Sequence, residues 1–137
     1  VSELVKRIYT GIKSLDKNIQ VSAAVFADMN DAKRERGQDW PKWLKDGSID
    51  FVIPMIYSNN LPRVMKLIKN IANDPNGKKN LIGLGAYKMS CAEILVQISF
   101  LRKVNKYYGA FAGFSLFSYD SIGSKSSYLE KLKKYAF

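Results

Sequence analysis

The chain contains no histidine and only one cysteine, Cys91. Without histidine, a nucleophile–histidine pair has no base within this chain. A lone cysteine rules out an internal disulfide framework and a Cys/His zinc site. No metal and no cofactor is expected. Cys91 follows Ser90 at the start of a predicted helix and reads as a small packing residue there. No apolar run approaches the roughly 18 residues that suggest a membrane span, so no transmembrane segment is expected. A basic start leading into an apolar stretch and a small-residue cleavage site is missing too. The first residue is Val1 rather than methionine, so the chain is expected to be a processed product or a piece of a longer one.

Acidic residues are the scarcer sign, 12 against 22 basic ones, for a net charge of +10. Such a balance suits nucleic acid, an anionic polymer or an anionic membrane surface. The lysines are scattered along predicted helices, which is the pattern of solvated helix faces. No recognition helix or RNP-like pattern accompanies them, so a nucleic-acid partner is not expected. The 137 residues, 47% hydrophobic, suffice for one cored domain, read as a single segment over 1–137.

Four times the chain reads as a helix or loop followed by a short apolar strand. Residues 1–15 carry a helical apolar stripe (Leu4, Val5, Ile8, Ile12, Leu15), and VSAAVFA (21–27) reads as a buried strand. The segment DMNDAKRERGQ (28–38) reads as a loop and DWPKWLKD (39–46) as a short helix, with Pro41 in its first turn and Gly47 as its stop. IDFVIPMIY (49–57) is a second strand, in which Pro54 predicts a local irregularity. A helix over 61–73, a strand over 81–87, a helix over 92–108, a strand over 110–119 and a closing helix over 126–137 complete the pattern.

Long helices between near-continuous apolar strands predict parallel βαβ units, hence an α/β fold. A flavodoxin-like open sheet and part of a (β/α)₈ barrel both fit four such units. Gly83, Gly85, Gly113 and Ser115 supply small residues to one face, as a barrel interior uses them, and no glycine-rich phosphate loop follows any strand. The expected fold is therefore the C-terminal half, about four βα units, of a (β/α)₈ TIM-type barrel. A whole barrel takes about 250 residues. The other half is expected upstream in a longer parent chain, or from a second copy in a homodimer.

The stretches SAAVFAD, GQDWPKWLKDGSIDFVIPMIYS, GLGAY and GFSLFSYDSI resemble the second half of the glycosyl-hydrolase-like family 10 proteins. The resemblance covers essentially the whole chain and is strongest over 22–58. That family is a bacterial (β/α)₈ group whose members are often exported or lipid-anchored, which implies an extracytoplasmic location. The resemblance implies the fifth to eighth barrel strands, a glycoside hydrolase-like parent and a carbohydrate substrate, a polysaccharide or cell-wall glycan. The family's acidic motif would lie before Val1, and a glycosidase needs two carboxylates, so this segment alone is expected to be inactive. A non-catalytic carbohydrate-binding or cell-envelope module is the alternative.

In a barrel the site forms at the C-terminal strand ends, here Asp28, Tyr57, Tyr87 and Tyr119 with Asp120. Asp28 is the best placed carboxylate, a candidate acid, base or substrate hydrogen-bonder as well as a turn former. Tyr57 and Met55 share a strand face and would meet at the mouth; Tyr87 and Tyr119 have the same geometry, and three tyrosines suit sugar recognition. Trp40 and Trp43 share a helix face, for stacking on substrate or for anchoring the helix. The resemblance adds Gln38. Arg34, beside Lys33 and Arg36, could meet an anionic group on a substrate. Asp50, at the other end of its strand, reads as structural.

Overall fold

In a computed structural model that describes residues 1–123 and 126–136, the segment 28–38, expected to be a loop, is a helix fixed at its ends. Helix α2 (Met29–Arg36) starts at Asp28, whose Oδ1 accepts from the Asn30 and Asp31 N–H groups at 3.0 and 3.1 Å. It stops at Gly37, which takes φ 64°, a left-handed conformation that suits glycine. Asp31 in the first turn and Lys33, Arg34 and Arg36 in the last complement the helix dipole. Only Ala32 is buried. The helix therefore has no apolar stripe for a sequence pattern to reveal.

The remaining elements follow the expected order with shorter strands. Helix α1 (Ser2–Leu15) precedes β1 (Ser22–Phe26), and α3 (Trp40–Lys45) leads into β2 (Phe51–Ile56). Then come α4 (Leu61–Ala72), β3 (Leu81–Gly85), α5 (Cys91–Tyr108), β4 (Gly113–Phe117), α6 (Tyr119–Gly123) and α7 (Ser126–Ala136). The closing helix extends to Ala136; Phe137 lies outside the described residues. Ser90 caps α5 in a reciprocal box with Glu93, and Gly109 ends it in the left-handed region. Cys91 is buried, its Sγ 3.8 Å from the Tyr128 carbonyl.

All four strands pair in parallel, in the order β1-β2-β3-β4. That order lacks the reversal that marks a doubly wound sheet. Crossovers of one hand between strands in unbroken order put their helices on one face. Burial agrees, since Val25, Val52, Ile56, Ile82 and Leu84 share one core with Ile68 and Ile71 of α4, Ile94 and Ile98 of α5 and Leu132 of α7. The opposite face, with Ser22, Ala24, Phe26, Ile53, Met55 and Phe117, stays partly or fully open to solvent. The fold is α/β with a four-stranded parallel sheet, compatible with half of a barrel.

Pro54 leaves the irregularity its sequence position predicts. β1 and β2 register over five pairs, Ser22↔Phe51 to Phe26↔Met55. β2 and β3 register only at Met55↔Gly83 and Ile56↔Leu84, directly after the residue that has no N–H to donate.

Two anchors fix the lower end, where the strands begin. Asp50 accepts from the Val21 N–H at 2.7 Å and the Tyr9 hydroxyl at 3.2 Å, and pairs with Lys13 at 2.9 Å, tying α1 to the sheet. Burial pushes its carboxyl up, but these partners outweigh it and hold the pKa below the usual value. A carboxylate lowered by folding adds stability that is complete above its unfolded pKa and is lost as pH falls through the folded one. Wild type should therefore lose Tm more steeply than Asp50→Asn below about pH 4. At neutral pH the variant should cost about 1–3 kcal/mol, less the screening of a partly exposed pair. A Tm–pH profile parallel for the two proteins would remove Asp50 as the anchor.

The second anchor is Gly77, in the turn before β3. A Cβ there would stand 2.8 Å from the Ala110 carbonyl oxygen and 3.2 Å from that of Ile71, both backbone atoms. Gly77→Ala is expected to cost about 1–3 kcal/mol, read by urea denaturation.

Candidate functional site

The helix carrying both tryptophans is a clamp on the end of β1. Trp40 is fully buried, and its Nε1–H donates to the Phe26 carbonyl at 3.0 Å. Trp43 is 3% exposed and donates from Nε1 to Ser2 Oγ at 2.7 Å, so both rings pack inside. Stacking of Trp40 on a substrate is thus corrected: no face of its ring reaches solvent. Gln38 serves the same end, its Oε1 accepting from the Phe26 N–H at 3.0 Å. Both backbone groups of Phe26, on an edge strand, are satisfied by the Gln-Asp-Trp segment.

At the tips of β2, β3 and β4 three aromatic rings form a shelf. Tyr57 stacks on Phe117, centroids 5.5 Å apart and 11° between planes. Tyr87 meets both edge-on, at 6.0 Å from Tyr57 and 5.8 Å from Phe117. Missing side chains on β3 make this possible. A Cβ on Gly85 would lie 2.9 Å from Tyr57 Cβ and 3.1 Å from its Cα; one on Gly83 would lie 3.1 Å from Ile53 Cγ2 and 3.5 Å from Tyr57 Cε1. Tyr57 therefore lies across β3 and reaches the ring from β4. Burial, then the nearby Tyr87, raises the Tyr57 pKa, so its phenol stays protonated at neutral pH and can both donate and accept.

The third ring is Phe117, not Tyr119. β4 ends two residues earlier than the sequence pattern suggests, and Tyr119 becomes the first residue of α6, 80% exposed and outside the shelf. Tyr87 belongs to a 3₁₀ turn, Ala86–Lys88, rather than to the end of β3, yet it still reaches the shelf. The Phe117–Ser118 peptide is cis.

Beside the shelf lies a cavity of about 350 Å³ over the ends of β1 and β2. Asp28, Asp31, Met55, Tyr57, Ser58 and Arg63 are among its lining residues. Asp28 uses Oδ1 to cap α2; Oδ2 has no hydrogen bond among the described residues. Arg34 does not line the cavity but is exposed along α2, and its neighbour Arg36 stacks over the Phe26 ring at 4.6 Å. The cation that does line it is Arg63, third residue of α4, with no ion pair among the described residues.

Asp31 and Arg63 were not singled out by the sequence pattern. Their signal was positional: each is the third residue of a helix that begins where a strand ends, Asp31 after Asp28 and Arg63 after Asn60. First turns of βα helices sit at the same end of the sheet as the strand tips. Among the described residues no group of three or more acidic, cysteine or histidine side chains could hold a metal, and no helix is long and apolar enough to cross a membrane.

The arrangement combines a flat aromatic surface, a phenol, two carboxylates and a guanidinium around one concavity. Rings of this kind pack on apolar sugar faces, and the charged groups bond hydroxyls. No curated protein matches the chain. The model of the family described as glycosyl hydrolase-like 10 matches residues 1–96, from α1 into α5, so β4 and Phe117 lie beyond the match. With that span including the tryptophan clamp, β1 to β3 and every residue lining the cavity, the chain belongs to the glycosyl hydrolase-like 10 family.

Proposed function

We propose that this chain is the C-terminal half of a glycan-binding (β/α)₈ barrel and supplies the sugar-contacting side of its mouth. The observation that carries this reading is the aromatic shelf of Tyr57, Tyr87 and Phe117, seated on Gly83 and Gly85 next to a cavity with free carboxylate oxygens. Tyr57 and Met55 contact the sugar, Asp28 accepts a sugar hydroxyl through Oδ2, and Gln38 holds the β1 tip in place. The substrate is a polysaccharide or cell-wall glycan handled outside the cytoplasm, as the family resemblance implies. One carboxylate pair must flank a scissile bond. Asp28 and Asp31 both stand at the start of α2, on one side of the cavity, so the acid across the bond belongs to strands preceding β1, and the 137-residue chain alone is inactive.

The test compares reducing-end release from soluble glycans by this chain and by a polypeptide that extends it upstream by a further half-barrel. Turnover should require the longer chain and fall at least about 100-fold in Asp28→Asn. Asparagine still caps a helix, so α2 should survive that change. Turnover by the 137 residues alone would end the half-site reading.

A second reading, that two copies pair as a half-barrel homodimer, is favoured by the face of the sheet left open to solvent. Light scattering decides it: a dimer at micromolar concentration supports it and a monomer removes it.

A further inference from the structure

The net charge of the chain comes from its second half. Residues 61–137 hold 13 bases and 4 acids, +9 of the total +10, whereas residues 1–60 hold nine bases and eight acids. Every ion pair among the described residues lies in the first part: Lys13–Asp50, Lys33–Asp39 and Lys42–Asp46. In the second part α4, α5 and α7 pack side by side as the layer behind the sheet, and their lysines are exposed with no acid partner among the described residues. Solvated helix faces usually intersperse both signs; these three helices carry nine bases and only two acids, Glu93 and Glu130.

Apolar surface accompanies the charge. A groove of about 250 Å³ between α4 and α5 is lined by Leu61, Met65, Val96 and Phe100 and rimmed by Lys103. At the lower ends of α5 and α7, Tyr107, Tyr108 and Tyr135 are 83%, 61% and 57% exposed among the lysines. Arg102 binds the Ala136 carbonyl at 2.6 Å and holds these two helix ends together. Tyrosine rings with one polar end favour the boundary between headgroups and acyl chains, and juxtaposed lysines favour anionic headgroups.

We infer that the outer face of α4, α5 and α7 docks onto an anionic lipid bilayer. The cations are spread over three parallel helices rather than drawn into one groove, which matches an extended anionic plane better than a single strand of polymer. This face lies behind the sheet, away from the aromatic shelf, so the inference stands whether or not the glycan reading holds. The helices would rest on the headgroups rather than insert.

The test is co-sedimentation of the 137-residue chain with phosphatidylglycerol/phosphatidylcholine vesicles and with pure phosphatidylcholine vesicles. Binding should occur only to the anionic vesicles and be released by high salt. One lysine near such a surface contributes about fivefold in partitioning, so Lys69→Glu with Lys103→Glu and Lys133→Glu should weaken binding on the order of 100-fold or more. Lys6→Glu with Arg7→Glu and Lys17→Glu makes the same change in net charge on α1 and the loop after it, and should weaken it far less. Circular dichroism checks that both variants fold. Equal losses in the two variants, or no binding to anionic vesicles at low salt, would overturn the inference. So would a duplex DNA fragment that binds more tightly than the vesicles and displaces them.

Discussion

Trp40→Ala is expected to cost about 3–5 kcal/mol. The side chain is fully buried, so its removal leaves a cavity between α3 and the end of β1. It also orphans the Phe26 carbonyl, which the indole N–H satisfies at 3.0 Å. Trp40→Phe separates the two contributions. It retains most of the ring volume and loses the donor, so about 1–2 kcal/mol is expected. Urea denaturation checks both, with an unchanged m-value required for comparison. If alanine and phenylalanine cost the same, packing of the ring is not what holds the clamp. Neither variant touches the aromatic shelf directly, but both should loosen the β1 tip, where Gln38 and Trp40 replace a neighbouring strand for Phe26.

Gly85→Val should have the largest effect on the shelf itself. Its Cβ would stand 2.9 Å from Tyr57 Cβ and 3.1 Å from Tyr57 Cα, and a backbone atom cannot swing aside as a side-chain tip can. Either β2 and β3 separate or Tyr57 leaves Phe117. An overpacked site of this kind costs about 1–3 kcal/mol in stability. Its larger expression should be in the rings: the stacked pair at 5.5 Å should be lost, seen as changed ring-proton shifts of Phe117 in NMR spectra. Unaltered shifts would mean that β3 yields and that the glycines are not what admits Tyr57.

Periodic signals are the legible part of this sequence. Four strands with near-continuous apolar runs and the long helices between them are legible from their hydrophobic pattern, and the parallel order follows from their connections. The pair of glycines two apart on β3 was legible as a small-residue face; that the space is filled by Tyr57 of the neighbouring strand needs the register Met55↔Gly83. Helix α2 was not legible, because only Met29 and Ala32 meet the core, too few for an apolar stripe, and its ends are set by Asp28 and Gly37. Phe117 was displaced by Tyr119 through a strand boundary two residues too late, which on a period of two keeps the face and changes the residue. Trp40 and Trp43 were correctly paired on one face, but only packing decides that the face is turned inward.

Arg34 and Arg63 make the same point in charge. Three bases in 28–38 suggested an anion-facing loop; once the segment is helical, its bases neutralise the helix C-terminus and only Arg36 meets a ring. Arg63, the first of three bases in α4, reaches the cavity because Asn60 caps the helix at the strand end.

Calorimetric titration of the chain with cellulose-, xylan- and chitin-derived oligosaccharides, repeated for Tyr57→Ala, tests the site most directly. At least one glycan should bind the wild type, and removal of the Tyr57 ring and hydroxyl should weaken it at least about tenfold, roughly 1.4 kcal/mol, with the fold intact by circular dichroism. A glycan that binds both proteins within twofold would contradict the aromatic shelf as the sugar-contacting surface.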